Sequence, residues 1–342
     1  MTATEPASNI CFFGVEPIYT QERRNGINFL LPPGKFLRSR SLSFYREFRP
    51  HPLHWDRMVR VAIVCKSRKK ELIRLLPELI AWLRERDYEP LLDLEGGSYT
   101  TAAPAVDRAA MPEYAPGLVI VLGGDGTLLA VARIFAATGT PILSVNLGFL
   151  GFLTEVRLAD LYSTLECWHG GRHDLDTRAM LHAELWRGGE SRSIYRALNE
   201  VVVSKGDIAR MGDFAVELDG KMVARFRADG VIVSTPTGST AYTLAANGPI
   251  LTPNVDAMVV TPICPHLLTL RPIVVRGDAS LTVRVVGIQN LALLTVDGQK
   301  AVELIPGDEV RCRKSSHAVH LVRISEGGFF EALRSKLSWG ER

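Results

Sequence analysis

The sequence predicts two folded parts: an α/β domain with a parallel sheet, followed by a β-rich domain of two layers, like a β-sandwich. Two observations predict this fold class. From Met58 to about residue 155, short apolar strands alternate with helix-like segments, which is how a parallel α/β sheet usually begins. From about residue 177, short alternating or apolar runs follow one another with turn residues between them, as in two-layer β structures.

Composition and charge narrow the class of protein. Of the 342 residues, 46% are apolar and 23% are charged, as in globular proteins that bury a full core. The net charge of +3 is spread along the chain, so we expect no nucleic-acid partner. Five separated cysteines without a CxxC pair indicate a reducing compartment, and no apolar run is long enough to cross a bilayer. We therefore expect a cytoplasmic protein that does not bind a membrane.

The first 57 residues differ in character from the rest of the chain. They contain Pro-Pro and His-Pro steps and show no sustained period of 2 or 3.6 residues. This pattern predicts a poorly ordered N-terminal extension. Met58, where the pattern changes, is a second candidate for the start of the native protein.

The first strand and helix of the α/β domain follow Met58. The β-branched run that begins at Val59 predicts a strand, and residues 69–87 predict a helix. Pro77 within that segment predicts either a bend or a late start of the helix. The helical spacing predicts these apolar positions on one face: Leu72, Ile73, Leu76, Leu79, Ile80 and Leu83.

Two later strands end in glycine turns. The apolar run 118–122 is typical of a strand buried on both faces, and the turn 123–127 (GGDGT) and a helix ending near Gly139 follow it. The strand 141–146 ends in Asn-Leu-Gly. Ligands of open α/β sheets bind outside the carboxyl ends of the strands, so these turns mark a candidate ligand site.

Asp125 is the chemically distinctive residue of the GGDGT turn. Glycines let the backbone approach a phosphate, whereas a carboxylate repels phosphate unless it accepts a proton or holds a metal ion. Asp125 is therefore a candidate base for a hydroxyl nucleophile or a candidate magnesium partner, and a helix cap is an equally weighted alternative. The chain lacks the GxGxxG and GxxxxGK[ST] patterns, which excludes the usual dinucleotide-binding and P-loop turns.

A hydroxyl-rich segment, STPTGSTAY at 234–242, ends a second buried strand. Five hydroxyl residues within seven positions offer small donors and acceptors to a ribose or an amide, and Tyr242 offers a ring face. The alternative is a Ser/Thr-rich surface loop. Because the segment continues a buried strand, we favour a ligand loop.

The pair Asn199-Glu200 interrupts another apolar strand. Such a pair either points to solvent on an edge strand or forms a buried polar site. Taken alone, the pair favours the edge-strand interpretation.

Together these segments resemble the NAD kinase family. The matching segments, in family order, are GGDGTLL at 123–129, NLGFLGFLTE at 146–155, NE at 199–200, DGVIVSTPTGSTAY at 229–242, NGPIL at 247–251, PHLLTLRPIV at 265–274 and VDGQ at 296–299. The GGDGT turn alone is weak support because lipid kinases and phosphofructokinases carry similar turns. The hydroxyl-rich segment combined with the NE pair is far more specific.

The resemblance implies an enzyme that phosphorylates the adenosine 2′-hydroxyl of NAD with ATP to make NADP. It implies Asp125 as the catalytic residue, hydrogen-bonded to the attacking hydroxyl, and Gly126 beside the phosphates. The residues implied around the dinucleotide are Asn199, Glu200, Arg210, Arg227, Asp229, Thr240, Ala241, Tyr242, Thr243, Leu244, Ala245, Cys264 and Gln299. The chain departs from the family at one position: Ala130 stands where many bacterial members place Arg or His. Arg133, one helical turn further on, is a candidate to replace the missing long side chain.

The resemblance also implies an organisation and partners. It places residues 58–155 and 315–342 in the α/β domain, with the terminal helix returning to it, and residues 156–314 in a β-rich NAD-binding domain. It implies Mg²⁺ supplied with ATP, with no protein metal ligands assigned, and a homodimer or homotetramer. Two alternatives remain at this stage: a lipid or sugar kinase that shares the GGDGT turn, and a non-catalytic NAD-binding sensor.

Overall fold

The computed structural model describes residues 58–148, 151–206, 211–287, 291–323 and 328–339. The predicted N-terminal extension, 1–57, lies outside these ranges, as does Arg210. Within them no helix has the length and apolar character needed to span a bilayer.

The first part of the described chain alternates strands and helices. In chain order its elements are β1 (Val59–Cys65), α1 (Leu72–Arg84), β2 (Tyr88–Asp93), α2 (Leu94–Gly97), β3 (Ala105–Val106), a 3-10 helix (Arg108–Tyr114), β4 (Leu118–Gly123), α3 (Asp125–Phe135), β5 (Ile142–Asn146), β6 (Val156–Arg157), a 3-10 helix (Leu158–Asp160) and α4 (Leu161–His169). The predicted strands and helices of this part are present, whereas β2, β3 and α4 carry no sequence pattern strong enough to predict them.

The second part is almost entirely strand. Its elements are β7 (Asp174–Arg187), β8 (Glu190–Ala197), β9 (Glu200–Lys205), β10 (Gly212–Leu218), β11 (Lys221–Ala228), β12 (Gly230–Ser234), a 3-10 helix (Thr237–Thr240), α5 (Tyr242–Ala245), β13 (Ala257–Ile263), β14 (Ile273–Arg276), β15 (Leu281–Gly287), β16 (Ala292–Val296), β17 (Lys300–Leu304), β18 (Glu309–Arg323) and α6 (Gly328–Leu337). The Asp-Gly pairs at 219 and 297 form the turns of the hairpins β10–β11 and β16–β17, with positive φ at both residues, as such turns require.

The strands form two sheets. The larger one runs β11-β10-β15-β18-β5-β4-β1-β2-β3, with β6 beside β5, β7 beside β18, and β8 beside β7. Its β1–β6 half is parallel, and β18 joins it in parallel to β5 while pairing antiparallel with β15 and β7. The smaller sheet, β14-β13-β12-β9-β16-β17, is antiparallel throughout. The predicted fold class is confirmed.

The parallel half is buried on both faces, as the continuous apolar runs predict. Val61 and Ile63 of β1 pack with α1, and Ala62 and Val64 pack on the opposite face with α3. Helix α1 begins at Leu72 and continues through Pro77, which stands inside the helix. Of the six positions predicted to be on the apolar face of α1, five are buried; the other, Ile73, lies at the margin of the stripe and is exposed.

The antiparallel part is a sandwich. One core contains inward-facing side chains from both sheets, among them Leu181 and Phe214 from the larger sheet and Val203 and Val231 from the smaller. The boundary predicted between residues 314 and 315 falls inside β18, which serves both parts of the larger sheet. The division into domains at these residues stays a prediction. The terminal helix α6 buries Ala332 and Leu333 on one face, as its amphipathic pattern predicts.

Candidate active site

Asp125 lies at the start of α3, directly beyond the carboxyl end of β4. Gly124 is the N-cap of α3, and the Asp125 side chain makes no capping bond, so the helix-cap interpretation is wrong. The carboxylate instead accepts hydrogen bonds from a segment that follows β5. The backbone amides of Phe152, Leu153 and Thr154 donate to it over 2.9, 3.3 and 3.0 Å.

The two oxygens of the Asp125 carboxylate have different environments. Oδ1 accepts from the amides of Leu153 and Thr154 and from the Thr154 hydroxyl, which lies 2.9 Å away. Asn146 donates to that hydroxyl and so holds it in place. Oδ2 accepts from the Phe152 amide alone among the hydrogen bonds of the described chain. A carboxylate oxygen has about two acceptor sites, so Oδ2 retains capacity for one more donor.

Gly151 allows this close approach. A methyl group built on Gly151 would overlap Oδ1 of Asp125 and would also touch the Thr154 hydroxyl. Any side chain at position 151 therefore displaces the carboxylate. The glycine belongs to the NLGFLGFLTE segment, and its contact with Asp125 explains why a glycine stands there.

A cavity of about 480 Å³ opens beside the GGDGT turn. Its wall contains two cationic side chains, Lys66 and Arg108, and two carboxylates, Asp125 and Glu95. The full lining is Cys65, Lys66, Ser67, Glu95, Arg108, Gly124, Asp125, Gly126, Thr127 and Ala130. The start of α3 also lies in this wall, and the backbone N–H groups there favour an anion. The cavity is therefore suited to a phosphate chain.

Arg108 is held in the cavity wall by a buried carboxylate. Its Nε and a terminal nitrogen donate to Oδ2 of Asp93 over 3.1 and 2.6 Å, and the Asp93 side chain is 2% exposed. Asp93 is fixed in turn by the backbone amides of Cys65 and Gly96. Lys66 is exposed and makes no ion pair within the described ranges.

The pair Asn199-Glu200 lies at the start of β9, which is a central strand between β12 and β16. The edge-strand interpretation is therefore wrong, and both side chains are buried. Oδ1 of Asn199 and Oε2 of Glu200 are buried without a hydrogen-bond partner in the described chain. Unpartnered buried polar atoms are costly, so these two oxygens are candidate partners for a ligand or an ordered water molecule.

The environment of Glu200 disfavours its charged form. Burial, together with the neighbouring Asp297 carboxylate, raises the pKa of Glu200 to about 8, and a hydrogen bond from the Tyr242 amide offsets part of this rise. The Glu200 carboxyl is therefore protonated in a large fraction of molecules near neutral pH.

The hydroxyl-rich segment is buried, so the surface-loop interpretation is wrong. Residues 237–240 form a 3-10 helix, and most of the hydroxyls bond within the protein. Thr235 Oγ1 donates to the Leu198 carbonyl, and Ser239 Oγ donates to the Pro236 carbonyl. The segment packs so tightly on Asn199 that a methyl group on Gly238 would overlap the Asn199 backbone. These hydroxyls therefore shape the segment more than they offer donors to a ligand.

The next residues of this segment differ in exposure. Thr240 and Thr243 are buried, Ala241 and Leu244 are half-buried, and Tyr242 and Ala245 are exposed. Oγ1 of Thr243 is buried and has no partner among the described residues, and the methyl group of the same side chain packs against Gly248. Its side chain is thus enclosed, whereas the ring of Tyr242 is accessible.

A turn between β16 and β17 joins the GGDGT helix to the NE pair. Asp297 in this turn accepts from the amides of Leu198, Asn199 and Glu200 and forms an ion pair of 2.9 Å with Arg133 of α3.

A second residue of the turn, Gln299, donates to the Gly126 carbonyl over 2.6 Å and accepts from Arg133. Arg133 is therefore engaged with the turn and not with the cavity beside Ala130. We use the name ligand group for Asp125, Asn199, Glu200, Asp297 and Gln299, together with the residues that hydrogen-bond to them and the residues that line the cavity.

Three other predicted residues lie together at a different place. The Arg227 carbonyl accepts from His266, and the Asp229 amide donates to Ile263, next to Cys264. The Asp229 carboxylate pairs with Lys205 over 2.7 Å.

These residues adjoin Gly230, the first residue of β12. The last residue of the same strand, Ser234, pairs with Glu200. The two ends of the strand are roughly 13 Å apart. The structure thus separates Arg227, Asp229 and Cys264 from the ligand group within one chain.

Several residues of the ligand group carry no sequence signal of their own. Three of them are within or near segments that match the family: Thr154, Arg133 and Asp297. The neighbouring residues in the sequence do not indicate which distant residues these side chains bond. Lys66 directly follows β1, and Arg108 begins a 3-10 helix; neither element carries a motif that indicates a ligand site. A basic residue just beyond the carboxyl end of β1 was the available signal for Lys66, since that edge of the sheet binds ligands.

The cavity offers few protein ligands for a divalent metal ion. No group of three or more His, Cys, Asp or Glu side chains that could hold a metal ion occurs in the described ranges. Mg²⁺ usually keeps several waters and is held by one or two carboxylates together with substrate phosphates. The carboxylates of Asp125 and Glu95 both line the cavity, so the residues fit an ion that arrives with a phosphate chain.

Comparison with known proteins identifies the family. The model of the ATP-NAD kinase N-terminal domain matches residues 61–171, and that of the C-terminal domain matches residues 198–324. Proteins named NAD kinase from Acidobacterium capsulatum and Koribacter versatilis are 62% and 49% identical to the chain over 285 residues. Each match covers 83% of this chain and 100% of the relative.

Two solved structures share the fold at 24% sequence identity. Yeast NADH kinase, complexed with NADH, has a TM-score of 0.76 and covers 84% of this chain and 90% of its own. An NAD kinase from Archaeoglobus fulgidus, in complex with ATP, has a TM-score of 0.64 and covers 82% and 100%. Neither a lipid or sugar kinase nor a non-catalytic sensor is supported by these matches. The chain belongs to the NAD kinase family.

Proposed function

We propose that the protein transfers the γ-phosphoryl group of ATP to the adenosine 2′-hydroxyl of NAD and so makes NADP. One observation carries the proposal beyond family membership. The side-chain oxygens Asn199 Oδ1 and Glu200 Oε2 are buried without a partner among the described residues, while the backbone amides of the same two residues donate to Asp297. Asp297 pairs in turn with Arg133 of the helix that begins at Asp125. A substrate held by the NE pair is thereby brought towards a carboxylate at the edge of a cationic cavity.

Asp125 is the proposed catalytic residue. Oδ1 is anchored by three donors, and Oδ2 has room to accept a hydrogen bond from the 2′-hydroxyl. A carboxylate is a weak base for an alcohol, with a reference pKa of about 4. Its contribution is to orient the oxygen towards phosphorus and to take the proton late, when the O–P bond has largely formed.

The remaining roles in NAD binding follow the family pattern. We assign contacts with the dinucleotide to Asn199 and Glu200: Oδ1 of Asn199 can accept from a ribose hydroxyl or an adenine amino group, and the protonated Glu200 carboxyl can donate a hydrogen bond as well as accept one. The other proposed contacts are Gly126, Arg210, Arg227, Asp229, Thr240, Ala241, Tyr242, Thr243, Leu244, Ala245, Cys264 and Gln299. Because Arg227, Asp229 and Cys264 lie apart from the ligand group, their contacts would be with the far half of the dinucleotide or in a neighbouring subunit.

The cavity is the proposed seat of the triphosphate of ATP. Lys66, Arg108 and the N–H groups at the start of α3 supply positive charge there. Mg²⁺, when bound with ATP, neutralises charge on the phosphates, and Glu95 is the lining carboxylate that could hold it while Asp125 accepts from the hydroxyl. We also propose a cytoplasmic homodimer or homotetramer; light scattering on the purified protein would determine the number of subunits.

A coupled assay tests the proposed function. Purified protein is incubated with magnesium-ATP or polyphosphate and with NAD or NADH, and the phosphorylated dinucleotide is measured. Parallel reactions with labelled ATP offer diacylglycerol and sphingosine as acceptors. NADP formation from NAD and ATP is expected. Binding of NAD without any NADP would overturn the proposal, and so would phosphorylation of a lipid in its place.

Lys66→Met is expected to raise the KM for ATP about tenfold and to leave the KM for NAD nearly unchanged. The substitution removes one charge-assisted contact with a phosphate but keeps an unbranched side chain only one atom shorter. Steady-state kinetics with each substrate varied in turn measure the effect. Lys70→Met, at an exposed position outside the cavity, is the control. Equal changes in both KM values would contradict the location assigned to the donor.

Gly151→Ala is expected to lower kcat about 100-fold, because the added methyl group displaces the Asp125 carboxylate by an ångström or so. The KM for NAD should change little, since position 151 does not touch the NE pair. Gly148→Ala is the control: its methyl group would lie 3.8 Å from the nearest atom, Asn146 Oδ1. Native turnover in the Gly151 variant would refute the anchoring role of residues 151–154.

A further inference from the structure

We propose that Arg133 and Asp297 are positioning residues that fix the backbone of Asn199 and Glu200 relative to the helix carrying Asp125. The proposal rests on the proposed function, because its consequence is a change in the rate of NADP formation. Neither residue touches the reacting atoms. Their role is to set where the 2′-hydroxyl of a bound NAD lies relative to the carboxylate.

The pair joins two elements that are far apart in the sequence. Arg133 stands on α3 eight residues after Asp125, about 12 Å along the helix axis. Its guanidinium pairs with Oδ2 of Asp297 over 2.9 Å, across 164 residues of chain. The helix that begins with the catalytic carboxylate is thus attached at a second point, two turns away.

Asp297 transmits this attachment to the substrate-binding strand. Its Oδ1 accepts from the amides of Asn199 and Glu200 over 2.8 and 3.2 Å, and its Oδ2 accepts from Leu198 over 3.0 Å. These bonds are made by the backbone of the NE pair, so they leave both side chains available to a ligand. Displacement of Asp297 would therefore move the NE pair as a unit.

The geometry requires the forked guanidinium group. Arg133 donates to Asp297 and, through its other terminal nitrogen, to Gln299, which itself bonds the Gly126 carbonyl. A lysine ammonium is a single point charge and does not present this pair of directed donors. The Arg133 and Asp297 side chains are 14% and 0% exposed, so their interaction is little screened by solvent.

A variant series tests the proposal with the full-length protein. Arg133→Met is expected to lower kcat about 100-fold, the cost of a misalignment of about 1 Å, and to raise the KM for NAD only a few-fold. Arg133→Lys is expected to restore part of the loss. Thermal melting of each variant, monitored by circular dichroism, reports folding.

Arg187→Met is the matched control. Arg187 makes a two-bond ion pair of 2.9 and 2.7 Å with Asp308, a carboxylate 1% exposed in the turn before β18, and its other described contact is the Glu303 carbonyl. Its replacement also leaves a buried carboxylate without its cation. It should lower the melting temperature about as much as Arg133→Met and leave kcat unchanged.

The outcomes separate the hypotheses. Near-native kcat in folded Arg133→Met overturns the positioning role, as does an equal loss of kcat in Arg187→Met. Absence of NADP formation by the native protein would instead refute the proposed function. Where Arg133→Met does not fold, Arg133→Lys decides: a kcat lowered about tenfold with native-like melting supports the proposal, and an unchanged kcat overturns it.

Discussion

Replacement of Asp125 by Asn is expected to lower the kcat for NADP formation about 1000-fold while NAD still binds. The expected loss lies within the range attributed to positioned acid–base groups. The variant keeps the size of the side chain but removes its negative charge. It also places an amide nitrogen where one carboxylate oxygen accepts a backbone N–H, so the hydroxyl is no longer oriented.

The anchoring contacts make a graded control possible. Thr154→Val removes the hydroxyl that donates to Oδ1 but leaves the carboxylate and the two backbone donors to that oxygen. We expect it to lower kcat by only about tenfold. Turnover and NAD affinity are measured separately, by the coupled assay and by calorimetric titration. Equal losses of binding and turnover in Asp125→Asn would show that this carboxylate holds substrate and does not assist the reaction.

The second large effect is expected at Glu200, in the dependence of stability on pH. The pKa of Glu200 rises from 4.5 to about 8 in the folded protein, chiefly through burial and secondarily through Asp297. Between these two values the folded state holds a proton that the unfolded chain has released. The resulting contribution to stability is therefore complete below about pH 4.5 and disappears as the pH rises through about 8.

Glu200→Gln should remove this dependence because the amide is neutral at every pH and can still accept from the Tyr242 amide. The free energy of unfolding of the native protein should fall, relative to that of the variant, by about 2–3 kcal/mol between about pH 6 and pH 8.5. Urea denaturation at several pH values measures the difference. Glu303→Gln, at an exposed position of β17, controls for loss of one carboxyl group. Parallel stability curves for the native protein and Glu200→Gln would rule out the buried, protonated state.

These predictions concern the two ends of one connected site. The Asp297 carboxylate contributes to the raised pKa of Glu200 and, with Arg133, secures the backbone of the NE pair to α3. A single buried anion therefore affects both the protonation of a substrate-binding side chain and the position of its strand.

Much of the fold follows from local patterns. The β-branched run of β1 and the glycine turn after β4 were predicted because each is determined by neighbouring residues. Strand β2, with a proline and two charged residues in six positions, has no such pattern. It forms because β1 supplies a parallel hydrogen-bonding edge beside it.

The site residues divide in the same way. The GGDGT and STPTGSTAY segments and the NE pair were identified from sequence, by their residue types and their order along the chain. Two interpretations were wrong: that the NE pair lies on an edge strand, and that Asp125 caps a helix. Each depended on which distant segments pack beside these residues in the fold. The hydroxyls of the 234–240 segment likewise proved to bond within the protein, a choice that depends on its packing against Asn199.

By itself, the sequence determined the succession of strands and helices, the glycine turn that carries a carboxylate, and membership in the NAD kinase family. The tertiary structure alone decided that Asp125 is anchored by a segment 27–29 residues away, and that Arg133 binds Asp297 across 164 residues. The physical reason is range. Backbone preferences and hydrophobic periods act between near neighbours, whereas these hydrogen bonds exist only once strand order has brought distant segments together.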